Sequence, residues 1–203
     1  MDYRQRIIEE AAVMFRTYGI RAVTMDMLAT RLGISKRTIY EVFSDKDELL
    51  SGVLKWMTVR QKEVIDKALN DSENVVEAIY SILNRMMEHF RSMSPAFQMD
   101  MKRHHQNIIK NLENMDQLPY VKNNEVIIDR GIKEGIFRSD IDVKIINRCM
   151  LEVAKMTNDK EIFPPDDFSS GEVVRNVYIN YLRGLCTQKG LDLIDHYEKK
   201  KTM

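Results

Sequence analysis

From Arg4 to Tyr18 the apolar residues Ile7, Ile8, Ala11, Phe15 and Tyr18 recur at the spacing of one helix face, and Gly19 ends the run. Ile20-Arg21-Ala22-Val23 is a link, in which Arg21 is placed to reach a phosphate. Thr24 stands where a hydroxyl can accept from the free N–H groups of a helix start, with Asp26 near the positive end of that helix and Leu28, Ala29 and Leu32 on one face. Ala29 is small enough for a second helix to cross closely, Gly33 suits a left-handed exit, and Ile34 plugs the turn. Ser35 caps a second helix predicted from Lys36 to about Phe43, with Ile39 and Phe43 inward and Lys36, Arg37, Thr38, Tyr40 and Glu41 outward. Ser44-Asp45-Lys46-Asp47 reads as a capping-box start, with Asp47 in the Glu/Gln position, for a helix continuing to about Leu69 through Leu49, Leu50, Val53, Leu54, Met57, Val64 and Ile65.

Asn70-Asp71-Ser72 breaks that pattern, and from Asn74 the positions Val75, Val76, Ile79, Tyr80, Leu83, Met86, Met87 and Phe90 describe a strongly amphipathic helix. Ser94-Pro95 opens another, through Phe97, Met99 and Met101. Polar residues dominate from Lys102 to Asn111, and Val121 to Glu134 resumes the helical period up to Gly135. Two more helices are predicted, about Val143 to Met156 and about Ser170 to Thr187, separated by a loop containing Pro164-Pro165. Their apolar faces are wide for helices covered on one side. Ile146, Met150 and Val153 on the first and Val174, Tyr178 and Tyr181 on the second are therefore expected to form a four-helix interface between two copies; the alternative is that these faces are filled within one chain. The tail from Leu191 to Lys201 is amphipathic and then basic, and Lys199-Lys200-Lys201 reads as a solvated end.

The outward face of the second helix carries two cations, a hydroxyl and a phenol. Cations and hydroxyls suit phosphate oxygens, and Arg or Lys near a helix start can read guanine edges in the major groove. Glu41 can accept from cytosine N4 or simply be tolerated there. The third helix start together with Lys46 forms an expected phosphate clamp. Tyr18-Gly19, Thr24, Leu28-Ala29, Gly33-Ile34-Ser35, Thr38-Ile39-Tyr40, Phe43, Lys46 and Leu49-Leu50, taken in register, resemble the TetR family of bacterial transcriptional regulators. The resemblance is close over about the first fifty residues and covers the remainder in length and helical character, including Gly135-Ile136-Phe137-Arg138-Ser139-Asp140. It implies an all-α chain in which a three-helix DNA-binding domain with the helix-turn-helix (residues 1–48) precedes a helical ligand-binding and dimerisation domain (49–203). It also implies a repressor that binds a palindromic double-stranded DNA operator as a homodimer and is released by a small-molecule effector. Thr24, Ser35, Lys36, Arg37, Thr38, Tyr40 and Lys46 are the expected DNA-binding residues.

Composition changes this picture in three places. Lys and Arg together number 31 and so do Asp and Glu, so phosphate binding must come from a local patch rather than from overall basicity. Fourteen methionines suit either an adaptable apolar pocket or ordinary core filling. By position the pocket is assigned to Trp56, Met86, His89, Phe90, Met101, His104 and Tyr120, with Arg85 and Arg103 as further polar candidates. Cys149 and Cys186 lie far apart and are expected as reduced, semi-buried packing residues of a cytoplasmic protein. The charged start, Asp2 to Arg6, is unlike a signal peptide, and no apolar run approaches a membrane span. The four histidines have no metal-ligand spacing, no cofactor is implied, and nothing matches a nucleophile elbow or a nucleotide-binding glycine loop. An enzyme is therefore not expected. The other reading is a helical small-molecule-binding or protein-interaction module that has the helix-turn-helix shape without specific DNA binding.

Overall fold

The computed structural model describes residues 2–105, 108, 119–157 and 159–201, and among these the secondary structure is helical, with no β-strand. The chain divides into two compact units, Met1–Glu63 with Glu88–Leu118, and Val64–Met87 with Pro119–Met203.

In the first unit α1 (Tyr3–Tyr18) starts at Asp2, whose carboxylate accepts from the Arg4 N–H, and buries Ile7, Ile8, Ala11 and Phe15 as the spacing predicts. Tyr18 is a correction: it is 56 % exposed, because Gly19 turns the chain just beyond it. α2 (Met25–Leu32) and α3 (Lys36–Tyr40) follow, then α4 (Lys46–Asp71), which passes into the second unit after Glu63. The cap of α4 lies one residue later than predicted: Asp45 Oδ1 accepts from the Glu48 N–H at 2.7 Å, and Glu48, not Asp47, reaches back to the Ser44 N–H at 2.7 Å. The longer Glu side chain spans this return, and Asp47 does not make it. Ile39, Phe43, Leu49, Leu50 and Val53 are completely buried with Ile7 and Leu28. α5 (Val75–Arg91) enters this unit at Glu88, and α6 (Pro95–His104) is capped by Ser94, which accepts from the Phe97 N–H.

α6 is tied to the end of α1 at successive points. The Ser94 N–H donates to the Arg16 carbonyl at 2.8 Å, the Arg21 N–H donates to Asp100 Oδ2 at 2.9 Å, and a Cβ at Gly19 would stand 2.9 Å from that of Ala96. Phe97 is buried in the same core; Met99, on the predicted run, is 49 % exposed.

In the second unit α7 (Pro119–Lys133) and α8 (Val143–Thr157) pack with α5 and with a long helical rod. That rod is not one α-helix. It comprises α9 (Ser170–Val173), a π-helical stretch Val174–Ile179, and α10 (Asn180–Leu185). Arg130, in the last turn of α7, and Glu134, just past its end, hold the turn between α4 and α5. The Arg130 guanidinium donates to the carbonyls of Leu69 and Ser72, while Glu134 accepts from the Val75 N–H at 2.8 Å and pairs with Arg130 at 2.5 Å. Orphaned groups at one helix end and the next helix start are thus satisfied by a single ion pair. The tail is α11 (Gln188–Lys201), packed more firmly than its composition suggests: Ile194 is buried, Tyr197 stacks on Tyr80, and the Tyr80 hydroxyl donates to Glu198 at 2.7 Å. Cys186 is buried, and burial pushes its thiol up to about 11; Cys149, expected as semi-buried, is exposed on α8.

Candidate nucleic-acid interface

The helix-turn-helix is assembled from local hydrogen bonds. Thr24 accepts from the Met27 N–H at 3.1 Å and opens α2. Gly33 closes it at φ 68°, and the Ile34 N–H returns to the Ala29 carbonyl at 3.0 Å. Ser35 accepts from the Thr38 N–H at 3.0 Å, with the Thr38 hydroxyl 2.9 Å from its own, so both hydroxyls are engaged at the start of α3. α3 is shorter than predicted, ending at Tyr40, because Glu41 and Val42 form a turn that carries Phe43 into the core.

This places Lys36, Arg37, Tyr40 and Glu41 on one exposed surface, with Thr38 half-buried beside them. Both cations carry carboxylate partners: Lys36 Nζ lies 2.7 Å from Asp26, and Arg37 Nε lies 3.0 Å from Glu41. The hydrogen bond to Asp26 raises the Lys36 ammonium above its ordinary range. Exposed pairs of this kind are weak because solvent screens them, so phosphate oxygens can displace them. Lys46 is placed differently. It is half-buried, its ammonium donates to the Val23 carbonyl and lies 5.9 Å from the Phe15 ring, and burial holds its pKa below the ordinary lysine value. Arg4 was not among the expected site residues. It donates to the Val42 carbonyl at 3.1 Å and lies 4.5 Å over the Phe43 ring, supporting the end of α3 from 38 residues away. No local pattern could have signalled that contact.

Residues 7–53 match the profile of bacterial regulatory proteins of the tetR family. The repressor KstR2 of Mycobacterium tuberculosis H37Rv is 24% identical over 200 residues, covering 93% of this chain and 94% of its own. The HTH-type regulator YhgD of Bacillus subtilis is 27% identical over 174 residues, covering 82% of this chain and 89% of its own. Over residues 7–53 the chain is of the TetR type, and along most of its length it is similar to regulators of that family. Its fold agrees, with a TM-score of 0.70 to a transcriptional regulator from Cytophaga hutchinsonii at 21% identity, over 90% of this chain and 98% of that one. It is a DNA-binding transcriptional regulator, and its relatives are regulators rather than enzymes.

The TetR-family profile covers every residue assigned to DNA and none of those assigned to a pocket or a dimer face. Trp56 and Met101 are half-buried against the core of the first unit, with the Arg60 guanidinium 5.5 Å over the Trp56 ring. His89 is half-buried in that unit, and burial, assisted by the Arg16 cation, holds its imidazole below the ordinary range. Met86 packs on the core of the second unit. The side chains of Phe90, His104 and Tyr120 lie outside the described residues. A surface groove between α1 and α2, with Val13, Tyr18 and Met27 exposed along it, involves none of these seven. On the proposed dimer face Met150, Val174 and Tyr178 are buried within the chain, while Ile146, Val153 and Tyr181 are half-buried. Among the described residues no cluster of His, Cys, Asp and Glu could hold a metal, and no helix is long and apolar enough to cross a membrane.

Proposed function

We propose that this chain is a homodimeric cytoplasmic repressor that binds a palindromic operator with α3 of each protomer and is released by a small-molecule effector. Residues 1–48 form its DNA-binding domain and 49–203 its effector and dimerisation domain. The observation that carries the reading is the capped α2–turn–α3 geometry, which leaves Lys36, Arg37 and Tyr40 together on an exposed face while Ile39 and Phe43 anchor it at full burial. In this scheme Lys36 and Arg37 exchange their carboxylates for phosphate or guanine, and the hydroxyls of Thr24 and Ser35 act by presenting helix starts to the backbone. Lys46 contributes to phosphate binding only when its ammonium leaves the Val23 carbonyl. The α6–α1 contacts give an effector acting on α6 a short route to the reading helices. The name of the relative KstR2 supports the repressor sense.

The test is a gel shift with DNA from around the chain's own coding region. Sequence-specific retardation is expected, and Arg37→Ala and Tyr40→Ala abolish it while circular dichroism and sedimentation stay unchanged. For Arg37 the loss is about 1–3 kcal/mol where it reads a base. Retention of full binding by both variants would overturn the assignment of this face. Weak, salt-labile binding to every fragment would favour the module without an operator.

A further inference from the structure

We propose that Arg16, Ser92 and His89 form an anion-binding subsite where the end of α1 meets the α5–α6 turn, taking the carboxylate or phosphate of a small effector. The proposal rests on the effector-responsive part of the function above and names the chemistry of the group recognised. Arg16 stands in the last turn of α1, one residue after the fully buried Phe15. Its Nη2 donates to the Ser92 hydroxyl, which in turn donates to the His89 carbonyl at 2.7 Å. Its Nε is buried and has no acceptor among the described residues. A guanidinium presents Nε–H and Nη–H as a planar fork that matches the two oxygens of a carboxylate or phosphate. Here the fork is held ready with one prong on a neutral, exposed hydroxyl and the other vacant.

Among the described residues Arg16 has no ion-pair partner, unlike Arg31, Lys36, Arg37 and Arg130, each of which has a carboxylate within 3.0 Å. His89, whose carbonyl accepts from the Ser92 hydroxyl, brings its half-buried imidazole to the same turn, where burial and then the Arg16 cation hold it below its ordinary range and so favour a neutral N–H donor. A fixed cation and a half-buried imidazole beside an unfilled donor are the elements of an anion site. An acidic group that takes the place of the Ser92 hydroxyl satisfies both prongs together. It would also bear on the contact between α1 and α6, because the Arg16 carbonyl is the acceptor that fixes Ser94, and Ser94 starts α6.

The subsite is tested on the full chain by nuclear magnetic resonance, following the Arg16 Nε–Hε and His89 ring signals while inorganic phosphate, and separately acetate, is added against sodium chloride at equal ionic strength. Saturable shifts of both signals with phosphate or acetate, absent with chloride, are expected. Which of the two anions binds more tightly tells phosphate from carboxylate recognition. In Ser92→Ala the shifts persist, since the hydroxyl is the group displaced. In Arg16→Gln the His89 shift falls at least tenfold in affinity, and Arg91→Gln, an exposed neighbour, leaves it unchanged. His89→Gln, read at the Arg16 Nε–Hε, replaces Arg16→Gln where that variant fails to fold, and is expected to weaken binding. Shifts that chloride reproduces, that do not saturate, or that survive both Arg16→Gln and His89→Gln overturn the proposal. A chain that is released from operator DNA by some compound yet shows no anion-dependent shift overturns the subsite and leaves the regulator standing. A saturable shift in a chain with no specific DNA binding supports the subsite and removes the operator.

Discussion

Glu41 shows how a single side chain can set the behaviour of the proposed reading surface. It lies on the same exposed surface as Lys36, Arg37 and Tyr40 and neutralises Arg37 at 3.0 Å. Replacing it by Gln removes a charge repelled by phosphates and frees Arg37. Operator affinity is expected to rise about two- to fivefold, the scale of one exposed ion pair. The plot of log K against log salt steepens by about 0.9 for the added phosphate contact. Fluorescence anisotropy across a salt series measures both, and a weaker complex would instead show Glu41 accepting from a cytosine. Glu48 gives a prediction in pH. The Ser44 N–H and hydroxyl, at 2.7 and 2.8 Å, hold its carboxyl below the ordinary Glu range. A folded-state pKa lower than the unfolded value, about 4.3, means the stabilisation is complete above that pH and is lost as pH falls through the folded pKa. The melting-temperature gap between the wild type and Glu48→Gln should therefore be full near neutrality and close in acid. A gap of constant size across that range would show that charge plays no part.

At the scale of elements, two glycines illustrate different constraints. Gly33 ends α2 at φ 68° with open space where a side chain would go, so its constraint is the backbone alone. Gly131 lies inside α7, where a Cβ would meet the Phe137 ring at 2.1 Å, so its constraint is packing. Gly131→Ala is expected to cost about 1–3 kcal/mol in denaturant unfolding through overpacking. Combined with Phe137→Leu the cost should be smaller than the sum of the two single changes, because the clash and its partner are removed together. Strict additivity would show that the helix accommodates the methyl elsewhere. These examples also mark what could be read in the sequence. Thr24, Gly33, Ser35 and Ser94 were legible because a cap and its N–H partners lie within three or four residues. The Arg130–Glu134 clamp was not, because its partners at Leu69, Ser72 and Val75 lie 58 to 61 residues away. Nor was the π-helical stretch at Val174–Ile179, whose apolar spacing fits an ordinary helix. Tyr18 and Met99 followed the helical period yet lie outside, since periodicity fixes a face but not how far along the helix its cover extends.

At the scale of the whole molecule, the proposed scheme makes DNA reading and self-association depend on each other. One five-residue α3 reaches few base edges, and two on a common axis demand half-sites about 34–36 Å apart or a multiple of that spacing. Met150, one of the six residues expected at the dimer face, and the exposed apolar residues of α8, which were not among those six, can be separated by mutation. Met150 is 1% exposed within a single chain, so a charge there breaks a core. Ile145, five positions earlier on α8, is 61% exposed, and Cys149 and Met156 are exposed on the same helix. Met150→Asp should therefore unfold the protein, at a cost above about 4 kcal/mol for an unpaired buried charge. Ile145→Asp should leave thermal melting of the monomer near wild type while shifting the sedimentation equilibrium toward monomer. Because each monomer carries only half the contacts, Ile145→Asp should also lose operator binding without any change in α3, and binding should return at protein concentrations that restore the dimer. A monomeric Ile145→Asp that still binds the full operator with wild-type affinity would separate association from reading, and with it the two-fold scheme.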